Sequence, residues 1–211
     1  MSELYRFFNS VEGDIREYKA SEFAEYFNRF LSDGLYTENG KAGLQVIPGL
    51  GLAINVATGY AYVRGYMYHN DAILTKNLDP ADSMLDRIDR VVLRFDEVAR
   101  EIRIAIKKGT FSSTPQPPTI EVTDTVKEMT LAQIKIRKGA ASITANDITD
   151  ERFSSTCGLV SLLAEIPFND LMEQWNIWFQ GRQNETGGRV FSGTTEPGKM
   201  LIGDLWLKEL D

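Results

Sequence analysis

The chain has a single cysteine, Cys157, and a single histidine, His69, in 211 residues. That scarcity excludes an internal disulfide and a thiolate metal cluster. Any Cys–His pair or Ser–His–Asp triad would have to rest on one imidazole. Long apolar runs are missing too: nothing approaches the ~20 residues that span a bilayer, and the polar start MSELYRFFNSVEGD does not read as a signal peptide. Positive charge is in deficit, with 23 Lys and Arg against 30 Asp and Glu for a net charge of −7. A binder of nucleic-acid backbone needs a basic face to displace counterions, so that class is disfavoured. Nucleotide signatures are absent as well. Gly49-Leu50-Gly51 starts like a dinucleotide fingerprint, but Ile54 stands where its third glycine belongs, and neither a GxxxxGK[ST] loop nor a GxSxG elbow occurs. The expectation is a non-enzyme with no cofactor, no metal and no membrane span.

What is present is β pattern. Ile102, Ile104 and Ile106 alternate with Glu101, Arg103 and Lys107, and upstream Val91, Leu93 and Phe95 alternate with Arg90, Val92 and Arg94. A period of two over β-branched residues predicts two strands with one dry face each, joined as a hairpin through the five residues Asp96 to Arg100. The preceding turn carries Asp79, Asp82, Asp86 and Asp89 near Arg87. It reads as a solvated, charge-paired turn, since a Ca²⁺ loop would need a different spacing and a glycine. Leu52, Ile54 and Val56 alternate, Tyr60 to Tyr68 reads as an aromatic strand interrupted at Gly65, and Met129 to Ile136 is apolar enough for burial on both faces. Some eight short strands predict a mainly β, antiparallel sandwich over residues 1–150.

Helical spacing appears twice. Ser21 reads as an N-cap before Phe23, Phe27, Phe30 and Leu31, with Gly34 as the stop. Such an aromatic face needs a large surface to pack on. Later, Leu159, Leu163 and Ile166 and then Leu171, Trp175, Trp178 and Phe179 recur at helical spacing around Pro167. These seven residues predict a helical, oligomerising segment over 151–181, in which Cys157 is a small buried residue just before a helix. After a polar linker from Gly181 to Gly188, Met200, Leu201, Ile202, Leu205 and Trp206 predict a short apolar β arm for a partner within 182–211. A saccharide platform is conceivable on Tyr60, Tyr62, Arg64, Tyr66 and Tyr68, which would share a face if their strand stayed regular. Rings filling the core or an interface are the plainer alternative.

Several stretches resemble the baseplate upper protein family of siphophages that infect Gram-positive bacteria. They are Phe7-Phe8-Asn9-Ser10 with Gly13-Asp14, YKASEFAEYF, GYAYVRGYMYHND, the whole of Leu78 to Thr110, LAQIKIRKGAASITANDITD, and Gln174-Trp175 with Trp178-Phe179. The resemblance implies an N-terminal β-sandwich that docks on the distal-tail hub and a helical linker that trimerises. It also implies a distal part that binds host saccharide or holds a receptor-binding or fibre protein. It carries no catalytic motif. With the sequence reaching only Asp211, the expectation is a homotrimeric adaptor of the virion tail tip, present in the host cytoplasm during assembly.

Overall fold

The computed structural model describes residues 3, 5–163, 173–177, 190–195, 198 and 205–208. The chain divides into two units, Met1–Ala164 and Glu165–Asp211. The protein is mainly β, with several antiparallel sheets.

The first unit opens with helix α1 (Ala20–Asn28). Twelve strands follow: β1 (Gly34–Leu35), β2 (Thr37–Glu38), β3 (Lys41–Ala42), β4 (Val46–Pro48), β5 (Ala53–Val56), β6 (Gly59–Val63), β7 (Tyr66–Asn70), β8 (Leu74–Asn77), β9 (Arg87–Asp96), β10 (Glu101–Lys107), β11 (Val126–Ile136) and β12 (Ile148–Asp150). They form sheets ordered β1-β6-β7, β4-β5-β8 and β10-β9-β11-β12, with β2 and β3 as a small ribbon. One apolar cluster is shared by the three larger sheets, with Leu35, Val46, Ile54, Val56, Val63, Leu93, Ile104, Met129 and Ile134 at its centre.

The β9–β10 hairpin pairs as its alternation predicts. Ile102 faces Phe95, Ile104 faces Leu93 and Ile106 faces Val91. Asp96 and Glu101 pair directly, so the connection is the four residues 97–100, closed by Asp96 Oδ1 accepting from the Ala99 N–H. β11 is buried on both faces only around its centre, from Glu128 to Ala132, and Lys135 is exposed; it carries a bulge. Thr130 pairs with Val92 and Ala132 with Val91, leaving Leu131 as the extra residue. The bulge exchanges the parity that faces the core, from Met129 before it to Ala132, Ile134 and Ile136 after it.

The acidic turn is charge-paired but only partly solvated: Asp79 is exposed and pairs with exposed Lys108, whereas Asp89 is buried with Arg87. Arg87 and Asp89 share the parity of Val91, Leu93 and Phe95, so β9 carries them onto the core face opposite Ile136 and Ile134. Arg87 is 0% exposed and Asp89 1%. The guanidinium donates from Nε and Nη2 to the two Asp89 oxygens at 2.7 and 3.1 Å, and to the carbonyls of Pro80 and Asp79 at 3.1 and 2.9 Å. It also lies 4.7 Å from the Phe111 ring centre. The Gly109 N–H donates to Asp89 at 2.8 Å, and a side chain at 109 would collide with the Ile88 carbonyl.

On the opposite face of β9 a proline-rich strap covers a second ionic set. Arg94 donates to Glu121 and Glu128, both at 2.8 Å, Lys107 donates to Glu128 at 2.6 Å, and Arg90 reaches the Pro118 carbonyl and Glu151. Burial alone would push Glu128 up, but these donors and the Glu121 N–H hold its carboxyl below the ordinary glutamate range.

The chain between 158 and 163 is extended, not helical. Its backbone is taken up by residues 30–35: Leu35 N–H donates to Gly158 O, Val160 to Leu35 O, Ser32 to Ser161 O and Leu163 to Phe30 O, at 2.8–3.0 Å. Gly34 permits this approach, since a Cβ there would sit 2.5 Å from the Leu159 carbonyl carbon. Residues 152–157 form turns and 158–163 are extended, so no helix directly follows Cys157, which is buried in the core.

In the second unit, residues 173–177 are helical. Strands β13 (Val190–Gly193) and β14 (Leu205–Lys208) pair in parallel, Val190 opposite Leu205 and Phe191 opposite Trp206.

Candidate functional site

A group of exposed aromatic residues lies on α1 and the segments before and after it. The helix starts at Ala20 with Lys19 as its cap. The Glu22 carboxylate accepts from the Lys19 N–H at 2.7 Å, so Ser21 lies inside the first turn instead of capping it. The stop is at Asn28, six residues before Gly34. Residues 5–18 fold back over one side. Phe7 stacks on Phe23 at 4.6 Å and meets Tyr18 and Tyr26 edge to face or tilted, and Tyr18 Oη bonds both the N–H and the carbonyl of Phe8. Arg6 ties the segment down through Glu25 at 2.5 Å and Glu22 at 3.2 Å.

This wrapping leaves the aromatic face open. Phe23, Tyr26, Phe27 and Phe30 are each 45–49% exposed, and Tyr5 and Phe8 more than 60%. Only Ala24 of the helix is buried. It sits against the β6–β7 turn, where Gly65 (φ +78°) comes so close that a Cβ would meet the Ala24 carbonyl oxygen. The aromatic row does not pack on the β body, contrary to what its amphipathic spacing implies. Contiguous exposed aromatic surface of this kind is characteristic of interaction sites.

The Tyr60–Tyr68 row is divided by a hairpin. Arg64 and Gly65 both have positive φ and form a two-residue turn, pairing Tyr60 with His69, Tyr62 with Met67 and Ala61 with Tyr68. Residues before and after such a turn have opposite parity, so the five residues do not share a face. Tyr66 and Tyr68 pack against the core, and burial pushes the Tyr68 hydroxyl up. Arg64 is occupied elsewhere: its N–H donates to Asp33 at 2.5 Å, and its guanidinium binds the carbonyls of Thr123 and Asp124. Tyr60 and Tyr62 remain on the outer face. Tyr60 stacks on His69 with ring centres 3.9 Å apart and planes 5° from parallel, and Tyr36, which sequence reasoning passed over, meets both tyrosines edge-on at 6.4 Å. Beside them is a cleft of about 410 Å³ whose rim includes Glu38, Lys41 and Asp71. A larger groove of about 690 Å³ runs between β7 and the β9–β10 turn, lined by Tyr66, Tyr68, Phe95 and Ile102.

Of the expected oligomer residues, Leu159 and Leu163 lie in the extended segment, 40% and 49% exposed, and Trp175 lies in the 173–177 helix, 53% exposed. Ile166, Leu171, Trp178 and Phe179 fall outside the described residues. In the expected arm, Leu205 and Trp206 are in β14, Trp206 partly buried, while Met200, Leu201 and Ile202 fall outside the described residues.

Among the described residues, no three His, Cys, Asp or Glu side chains are placed to hold a metal ion. Burial pushes the Cys157 thiol up to about 12, which leaves it a thiol and a poor nucleophile. No described helix is long and apolar enough to cross a membrane. Compared with known proteins, the chain matches no family model, no curated protein and no solved structure.

Proposed function

We propose that the chain is a structural adaptor of a phage tail tip or baseplate that assembles as a homo-oligomer, a trimer in the form the family resemblance implies. In this reading the first unit is an antiparallel sandwich that docks on the tail hub. The segment around Trp175, Trp178 and Phe179 oligomerises, and the arm containing Leu205 and Trp206 engages a receptor-binding or fibre protein.

The observation that carries an assembly role is the row Phe23, Tyr26, Phe27 and Phe30: four half-exposed rings, three on α1 and Phe30 in the turn after it, on a segment held to the body through Ala24. Aromatic rings supply large contact area at small entropic cost, and leaving four in water is unfavourable unless a partner covers them. The phage assignment rests on the sequence resemblance. Antibody labelling of intact particles tests it, with tail-tip labelling expected. A chain absent from finished particles, or located on the capsid, would falsify the assignment. A Phe27→Ser, Phe30→Ser variant should give particles lacking the labelled component while the purified protein keeps its β spectrum.

A receptor-binding role is the second reading, favoured by the Tyr36–Tyr60–His69 cluster beside carboxylates that suit hydroxyl recognition. Binding of the purified chain to host-wall saccharide, lost in Tyr60→Ala and Tyr62→Ala, would promote it. Equal binding by wild type and variants would dismiss it.

A further inference from the structure

β10 is the edge of the largest sheet. β9 is its one strand neighbour, and no backbone hydrogen bond from any other described residue reaches it. Edge strands are ordinarily protected by proline, by bulges, by charges on the edge or by a covering segment. β10 has no proline and no bulge, and its charges, Glu101, Arg103 and Lys107, all lie on the face opposite its isoleucines. It pairs with β9 without irregularity over all seven residues, and the side chains it turns inward are Ile102, Ile104 and Ile106. Ile104 is 1% exposed, while Ile102 and Ile106 on either side of it stay only partly buried.

The sequence of this edge is self-complementary. About Ile104 it reads symmetrically, with isoleucine two positions away on each side and opposite charges, Glu101 and Lys107, three positions away. We infer that β10 pairs antiparallel with β10 of a second copy of this chain, about a two-fold axis at Ile104, joining two four-stranded sheets into one continuous sheet. Glu101 then faces Lys107 twice, Ile102 covers Ile106 twice, and Arg103 lies opposite Ala105.

Charge selects this register over its neighbours. A two-fold axis normal to the sheet keeps the dry faces together only when partners differ by an even number of positions. A shift one way sets Arg103 against Arg103, and a shift the other way sets Arg103 against Lys107. Like charges directly opposed destabilise a pair, so both alternatives are penalised. Lys107 already donates to the buried Glu128 and Glu101 already pairs with Arg103 on its own strand. The intermolecular pairs therefore complete existing ionic contacts and recruit no free charge. The inference does not rest on the adaptor reading.

Hydrogen exchange on the full chain, run beside sedimentation velocity at micromolar concentration, tests it. In wild type, the amides of residues 101–107 that point away from β9 are expected to be protected. In Glu101→Lys they should exchange about tenfold faster or more at the same concentration, with a lower sedimenting mass. Arg103→Ala, whose partner is an alanine, should leave both readouts unchanged. Free exchange of those amides in wild type overturns the proposal, whatever the oligomeric state, and still decides it if Glu101→Lys fails to fold. Equal protection in wild type and a folded Glu101→Lys overturns it too, as does a monomer at every concentration.

Discussion

Removing Asp89 exposes what the Arg87 pair does for the fold. Asp89→Ala takes away both carboxylate acceptors of a guanidinium that is 0% exposed, and leaves it only two backbone carbonyls and the face of Phe111. It also strands the Gly109 N–H, whose backbone cannot move because it lies against the Ile88 carbonyl. Breaking a buried pair from one side costs about 3–5 kcal/mol, and a stranded N–H adds about 1 kcal/mol or more. A domain of this size holds roughly 5–15 kcal/mol in all, and its midpoint falls about 2–4 °C per kcal/mol. Thermal melts by near-UV circular dichroism should therefore drop by roughly 8–24 °C, with urea midpoints moving in step. Asp79→Ala, from the same turn, removes an exposed carboxylate whose partner Lys108 is also in water, and should leave the melt unchanged. Replacing both partners, Arg87→Met with Asp89→Leu, should recover much of the loss, because two desolvated charges are removed together. A loss below about 1 kcal/mol in Asp89→Ala, or equal losses at Asp79 and Asp89, would refute the reasoning.

Gly65→Ala places a methyl group on the Ala24 carbonyl and strains a left-handed turn. It should free α1 and make residues 5–30 sensitive to limited proteolysis while the β spectrum persists. Glu128 has a folded-state value below its ordinary 4.5, so its contribution to stability is complete above that value and is lost as pH falls through the lower one. Urea unfolding should weaken from pH 5 towards pH 3, and Glu128→Gln should be less stable at pH 7 and lose less on acidification. A steeper acid response in the variant would contradict this sign. Cys157, held as a buried thiol with a pKa pushed up to about 12, should react with a thiol reagent only at the rate of unfolding. Rapid labelling of the native chain would show the site to be open.

The strands were legible because their alternation is a direct record of burial. Ile102, Ile104 and Ile106 lie opposite Phe95, Leu93 and Val91, as the period of two requires. The same parity extends back to Arg87 and Asp89, but charged residues are so seldom buried that they read as solvent-facing. Besides Asp89, the guanidinium is satisfied by the carbonyls of Asp79 and Pro80, which lie outside the strand's own pattern. The tyrosine row failed for a different reason. A two-residue turn usually announces itself as Asn-Gly or Asp-Gly, and Arg64-Gly65 carries half of that signal. Leu159 and Leu163 have helical spacing, yet their backbone is captured by residues 30–35, a contact about 130 positions away in sequence that no local pattern records.

The attachment of α1 through Ala24 separates two kinds of selection. Substitutions at Phe23, Tyr26, Phe27 or Phe30 change the surface without touching the apolar cluster of the sheets, where Leu35, Ile54, Leu93 and Ile134 set stability. Those four ring positions are free to drift as a binding partner drifts, generation by generation, while the scaffold stays under constraint. Rapid divergence is thus expected at these four rings, next to sheets that change slowly.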